Sequence, residues 1–233
     1  RCRAGSASIS IQRESLKVVP PDQSGSPGML PAIDQVFVFG STAGSRVGPG
    51  EYTLELKLGE SVVRTTATLL PHPGIEATPN DYNQQQALLV DMEEMVKNMH
   101  KGVNQMRAVR TQLHAHADLL EGNEQAGGLV ELGDSLSRRI TRWEENLIQA
   151  KQKTFQDVIN FNNKLNAEVL FLMQFIDTTD PKVTQGAKDR LADLKRDWAK
   201  YENERRSIVD QEMGAYNAMY RQLNLPALVI PED

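Results

Sequence analysis

The sequence predicts an α+β fold. A small β-sandwich-like (immunoglobulin-like) part is expected over residues 1–75, followed by an antiparallel four-helix bundle over residues 76–233 with long first and last helices. Three observations carry this expectation. Short runs before residue 70 alternate apolar and polar residues, the period of half-buried strands. From Met92 an apolar residue returns every seventh position, at Met99, Met106, Leu113 and Leu120. Apolar residues repeating at that spacing draw a stripe along a helix that must find a partner. Three further segments carry stripes stepped by three and four.

The β part is read first. Ala7, Ile9 and Ile11 alternate with Ser8, Ser10 and Gln12. Pro20-Pro21 and Ser24 to Gly28 form a loop, Val36 to Phe39 is a short apolar strand, and Gly40 to Gly50 is a second glycine-rich loop. Tyr52, Leu54 and Leu56 then alternate with Thr53, Glu55 and Lys57, and Val63, Thr65, Ala67 and Leu69 return after Gly59. This is a hairpin, with Leu58-Gly59 or Gly59-Glu60 as its two-residue loop. Either register places the Tyr52/Leu54/Leu56 face opposite Val63 and Thr65. About four strands are readable where an immunoglobulin-like sandwich needs about seven. The β part is therefore expected to lean on something else, covering the Tyr52/Leu54/Leu56 face and the Val36 to Phe39 strand.

The helices follow. Thr78 reads as an N-cap, Pro79 as the first helical residue, and Asp81 complements the positive end of the dipole. From there the pattern runs unbroken to about Leu120, some ~60 Å at 1.5 Å per residue. Leu88, Met95, Val103 and Val109 fill the gaps in its stripe. Gly122-Asn123 and Gly127-Gly128 break it. A second helix carries Leu129, Leu132, Leu136, Ile140, Trp143 and Leu147. A third carries Val158, Asn162, Leu165, Val169, Leu172 and Ile176. Thr178-Thr179-Asp180-Pro181 separates it from a fourth, with Ala187, Leu191, Leu194, Trp198, Tyr201, Ile208, Ala215 and Met219, ending near Leu223 before Pro226. Short connections between four such helices imply an up-down-up-down bundle, with Met99, Met106, Leu136, Leu165, Leu191 and Trp198 inside.

Composition narrows the function classes. Net charge is −5 with both signs interspersed, 39% of residues are hydrophobic and 24% charged. No basic face suggests a nucleic-acid footprint, and no run reaches the ~18 apolar residues of a membrane span. The single Cys2 excludes an internal disulfide and a cysteine-rich zinc site. The opening Arg1-Cys2-Arg3-Ala4-Gly5 has neither Met nor a signal peptide's apolar core, which reads as a piece of a longer chain.

Candidate chemistry is sparse. A bundle di-iron site needs Glu-x-x-His motifs, but Lys97, Thr111 and Leu113 stand three residues before His100, His114 and His116. His114 and His116, two apart on a helix, point about 200° away from each other and cannot share a metal unaided. They read as surface histidines near a helix end, and His72 lies in a loop. Gly40 to Gly44 lacks the Gly-Lys-Ser/Thr of a phosphate loop, and Ser41 sits in no nucleophile elbow. Glu93-Glu94, Glu144-Glu145 and Glu202 to Arg206 read as solvated faces with charge pairs three or four apart. The Met92/Met95/Met99/Met106 seam, Trp143 and Trp198 read as core. No catalytic, cofactor-binding or metal-ligating residue is assigned, and no cofactor is expected.

Several motifs carry a resemblance. They are Val47-Gly48-Pro49-Gly50-Glu51-Tyr52-Thr53-Leu54-Glu55-Leu56, the step from Leu69-Leu70-Pro71 into a helix with Gln84-Gln85-Gln86, Asp177 to Gln185, and Tyr216 to Asn224. In order and spacing they resemble the C-terminal region of bacterial sortilin-like BNR/Asp-box repeat proteins, large β-propellers often classed with the glycosyl hydrolases. Ile9-Ser10-Ile11-Gln12-Arg13 stands, without Trp, where that family has a Trp-containing segment, and the propeller's Asp-boxes are absent. The resemblance implies a non-catalytic, structural C-terminal region of a secreted or periplasmic protein. Such a region would pack on the upstream propeller or another subunit, or assemble with further copies of itself. The alternative it implies is an accessory part of a sialidase-like glycoside hydrolase whose active site lies on the propeller.

Overall fold

The computed structural model describes residues 7–12, 45–58, 60–152, 157 and 159–223. The chain divides into two compact units that interleave along the sequence. One comprises residues 1–32, 40–96 and 170–190, and the other residues 33–39, 97–169 and 191–233. Its elements are strands β1 (Ala7–Gln12), β2 (Gly50–Leu58) and β3 (Ser61–Leu69), and helices α1 (Pro79–Leu119), α2 (Gly127–Leu147), α3 (Leu165–Ile176), α4 (Gln185–Ser207) and α5 (Met213–Gln222). A five-residue π-turn, Ile208–Glu212, joins α4 to α5. The described residues are thus mainly helical, with four helical segments if α4 and α5 are taken as one interrupted helix.

In the first unit the strands form one antiparallel sheet in the order β1-β2-β3. Leu54 lies opposite Thr65 and Leu56 opposite Val63, and the pairing of Leu58 with Ser61 fixes the hairpin loop as residues 59–60. The expected β-sandwich is overturned. A strand of a sandwich buries every second side chain against the other sheet, whereas no side chain of β3 is buried. The Tyr52/Leu54/Leu56 face is covered only at one end. Tyr52 is buried, Leu54 half-buried and Leu56 exposed. The Tyr52 hydroxyl donates to the Gly48 carbonyl at 2.5 Å, and a Cβ on Gly48 would touch Tyr82 of α1 at 3.7 Å. The expected Val36 to Phe39 strand lies outside the described residues.

The start of α1 is closed by a reciprocal cap. Thr78 Oγ1 accepts from the Asp81 amide at 3.3 Å, while Asp81 Oδ2 accepts from the Thr78 amide at 2.8 Å and from its hydroxyl at 2.7 Å. This is the capping-box arrangement with Asp in the place of Glu. Those Thr78 hydrogen bonds hold the Asp81 carboxyl below the usual carboxylate range. Further along, Gln85 is buried, and its amide donates to the carbonyls of Ile176 at 2.8 Å and Thr178 at 3.0 Å. The Ile176 carbonyl at the end of α3 also accepts from the Thr178 amide at 2.8 Å, so Gln85 adds a side-chain donor that ties this turn to α1. The segment entering β2 is tied down by two carboxylates. Glu93 accepts from the Ser45 amide and hydroxyl, and Asp177 accepts from the Arg46 amide.

In the second unit, the later half of α1, α2, and α4 with α5 pack around one apolar seam. Met99, Val103 and Met106 of α1 meet a core that includes Leu129, Leu136, Ile140, Trp143 and Leu147 of α2, and Leu194 and Ile208. The α1–α2 turn uses Gly122 at φ +79°, a left-handed conformation that glycine adopts without strain. Asn123 then caps a short 3₁₀ turn by accepting from the Gln125 amide. Gly127-Gly128, read from sequence as a break, instead begins α2. Gly128 and Gly133 leave room for α5, since added Cβ atoms would lie 3.1 Å from Met219 Cε and 3.2 Å from Tyr216 Cε2.

Helix directions differ from an up-down-up-down bundle. Gly102 of α1 lies against Arg205 of α4, and His116 lies against Tyr216 and Tyr220 of α5. The last helical run therefore lies parallel to the first, with α2 antiparallel to both. The third helix is also shorter than expected. It begins at Leu165, and Asn162 lies before it, because residues 160–163 hold three asparagines, which favour turns over helix interiors. Gln149 and Gln152 stabilise this connection by donating to the Asn162 and Phe161 carbonyls. Of the six residues placed inside by sequence, five are buried. Trp198 is only half-buried.

Candidate interaction surface

The polar groups singled out in the sequence are separated by the fold. His114 Nε2 lies 2.9 Å from Ser137 Oγ, whereas His116 Nδ1 lies 3.1 Å from the Tyr216 hydroxyl and its ring stacks on both Tyr216 and Tyr220. Burial, with the Tyr220 phenol beside it, holds the Tyr216 hydroxyl above the usual phenol range. His72 accepts from the Gly74 amide at 3.1 Å in a surface turn, and His100 is buried in α1. Gly40 to Gly44 and Ser41 lie outside the described residues. Among the described residues no group of three or more His, Cys, Asp or Glu is placed to hold a metal ion. None of the helices there is long and apolar enough to cross a membrane.

Of the three charge clusters, Glu202 holds Arg205 through two hydrogen bonds at 2.9 and 2.7 Å and also meets Arg206. Those guanidiniums keep the Glu202 carboxyl below its usual range. Glu93 anchors Ser45, as described above. Glu144 corrects the reading of a solvated face. It is buried between Arg107, whose Nε donates at 2.7 Å, and Arg110, whose Nη1 lies 2.9 Å away. The Arg110 contact is an ion pair off the N–H direction, because Nη1 donates instead to Thr141 Oγ1 at 3.0 Å.

These contacts form a ladder. Arg107, Arg110 and His114, advancing by three and four along α1, meet Glu144, Thr141 and Ser137, receding by three and four along α2. The ladder fixes the register of the two antiparallel helices, a role for which polar seam residues are well attested. Sequence reasoning passed over Arg107 and Arg110. The signal was their spacing of three, beside Met106, on a face read only for its apolar positions.

One stretch of exposed apolar surface lies on the sheet and just beyond it. Leu56 is 43% exposed, Val62 46%, Val63 65%, Leu69 44% and Leu70 78%. Leu56 and Val63 are cross-strand partners and lie on one face. On the opposite face Glu55 is buried and pairs with exposed Arg64 at 2.6 Å. Among the described strands β3 occupies an edge, and its nine residues pair with β2 in unbroken register without a bulge. Such an edge offers a row of backbone donors and acceptors, and natural sheets commonly blunt it with lysine, proline or a bulge. None of these occurs in Ser61–Leu69. No family profile matches this chain, and no curated protein or solved structure matches it.

Proposed function

We propose that the chain is a non-catalytic interaction module whose sheet docks on another protein. The observation that carries this reading is the large apolar side chains in solvent on both faces of β3 and just beyond it: Val62, Val63, Leu69 and Leu70. A strand that served only its own chain would turn alternate side chains into that chain's core. The sequence resemblance supplies a context. The module is the C-terminal region of a secreted or periplasmic sortilin-like propeller protein, and it packs on the propeller or on another subunit. A carbohydrate-directed activity of such a protein belongs to the propeller, and this chain acts as support.

The test replaces Val62, Val63 and Leu69 by Thr and Leu70 by Ser in one variant. Exposed substitutions of this kind change stability by only about 0.5 kcal/mol each. The expected result is a nearly unchanged urea midpoint together with reduced binding of a hydrophobic dye. A collapse of the folding transition would show that these residues serve the chain's own core and would remove the docking reading.

A further inference from the structure

We infer that the edge of β3 that no described strand occupies pairs with β3 of a second copy of this chain, antiparallel and centred on Thr65, which joins the two three-stranded sheets into one. The inference rests on the docking reading above and names the partner.

The first argument is charge. The only ionised residue in Ser61–Leu69 is Arg64, and Glu55 of the neighbouring strand already holds it at 2.6 Å. The edge is thus locally neutral. It offers an acidic or basic partner strand nothing to recognise, and it does not repel its own copy. The partner that fits is an uncharged, β-branched strand of the same length. Among the described strands that is β3 itself, with Val62, Val63, Thr65, Thr66 and Thr68. By contrast, β2 carries Glu51, Glu55 and Lys57, and β1 is three residues shorter.

The second argument is register. Pairing centred on Thr65 uses all nine residues. It sets Val63 opposite Ala67 of the partner copy, Val62 opposite Thr68, Arg64 opposite Thr66 and Ser61 opposite Leu69. No like charges oppose each other, and two of the pairs bring β-branched residues together, Val62 with Thr68 and Thr65 with its own copy. A register centred one residue earlier would put the two Arg64 guanidiniums face to face. An antiparallel pairing of identical strands is two-fold symmetric. The contact closes on itself and gives a dimer, not a fibre. Val63, 65% exposed, gains a cross-strand neighbour on its open side.

The experiment uses the full chain. Light scattering coupled to size exclusion, run from micromolar to near-millimolar concentration, should show a concentration-dependent mass rising from 26.0 kDa towards twice that value. Thr65 is exposed, so Thr65→Lys and Thr65→Glu should both fold, as checked by circular dichroism and melting temperature. In the proposed register each variant opposes two like charges at the dyad. Each alone should dimerise at least ~10-fold more weakly than the parent chain. Mixing the two variants should restore the dimer as a Lys–Glu pair. A parent chain that stays monomeric throughout, or a Thr65→Lys variant that dimerises as well as the parent, overturns the inference. A monomeric parent whose four-residue surface variant is still stable and binds less dye would leave the docking reading standing and remove only the second copy as its partner.

Discussion

Glu144 is the residue whose environment departs furthest from what its neighbours in sequence suggest. Glu145 is exposed, while Glu144 is buried between two guanidiniums that are themselves about three-quarters buried. Removing one member of such a cluster leaves charge without a partner in a poorly solvated place. Loss of a partner from a fully buried pair costs about 3–5 kcal/mol. With the arginines partly solvated, Glu144→Ala should cost roughly 2–4 kcal/mol in urea unfolding. Replacing Arg107, Arg110 and Glu144 together by Met and Leu should cost much less, because no unpaired charge remains. If the single and triple variants are equally destabilised, packing of the aliphatic stems dominates over charge. Leu191 gives an apolar counterpart. It is buried, and Leu191→Ala should cost about 2–5 kcal/mol. A loss under about half a kcal/mol would place it at the surface.

The π-turn decides how the last helical run meets its neighbours. The apolar stripe read from sequence continues from Ile208 by a heptad to Ala215. In the structure Ala215 is exposed and Tyr216 is buried in its place. One extra residue in the wide turn shifts every later position by one, and Arg139 spans it by meeting Glu204 before it and Glu212 at its end. Deleting exposed Asp210 should therefore convert the π-turn to α-helix while Ile208 and Tyr216 stay on one face. Its melting temperature should fall far less than on deletion of exposed Ala199, which rotates everything downstream by ~100°. Equal losses would mean that the extra residue is required for packing. The sequence pattern carried helix existence well, as at α1, where Thr78, Pro79 and Asp81 mark the start. It did not carry the π-turn, because residues 208–212 contain no proline or glycine. It misplaced part of the α1 inner stripe as well. Met95 and Val103 of the expected stripe are buried, but Leu88 and Val109 lie on its flank while Leu89 and Val96, which it left out, are fully buried.

Stability of the whole chain should fall towards both ends of the pH scale. Asp81 and Glu202 have lowered carboxyl pKa values in the folded state. Their contribution is complete above the unfolded carboxylate range of about 4 and is lost as pH drops through the folded values. Tyr216 is shifted the other way. Its contribution is complete below the unfolded phenol value of about 10 and is lost as pH rises beyond it. Tyr216→Phe should flatten the alkaline limb, and Thr78→Ala should soften the acid limb, both read from urea midpoints across pH. An alkaline limb unchanged by Tyr216→Phe would assign it to another group. At this scale the sequence conveyed the sheet-then-helices order, but not that the described strands form one sheet. Alternation in β2 and β3 is the same whether a face meets a second sheet or water. The difference lies in what covers Leu56 and Val63, which local pattern does not encode. The ladder between α1 and α2 was equally hidden, since its rungs join residues 23 to 37 positions apart.

The four methionines of α1 stand in a different light under oxidising conditions. Met92, Met95, Met99 and Met106 are all buried, so a peroxide reaches their sulfurs only when the surrounding packing opens. Each conversion to sulfoxide would put a polar, chiral group where a flexible apolar one had been and would hinder reclosure. Sulfoxide formation, followed residue by residue with mass spectrometry, would thus act as a chemical clock of how often α1 is laid bare. Chains that had opened would be retained as a permanently altered population.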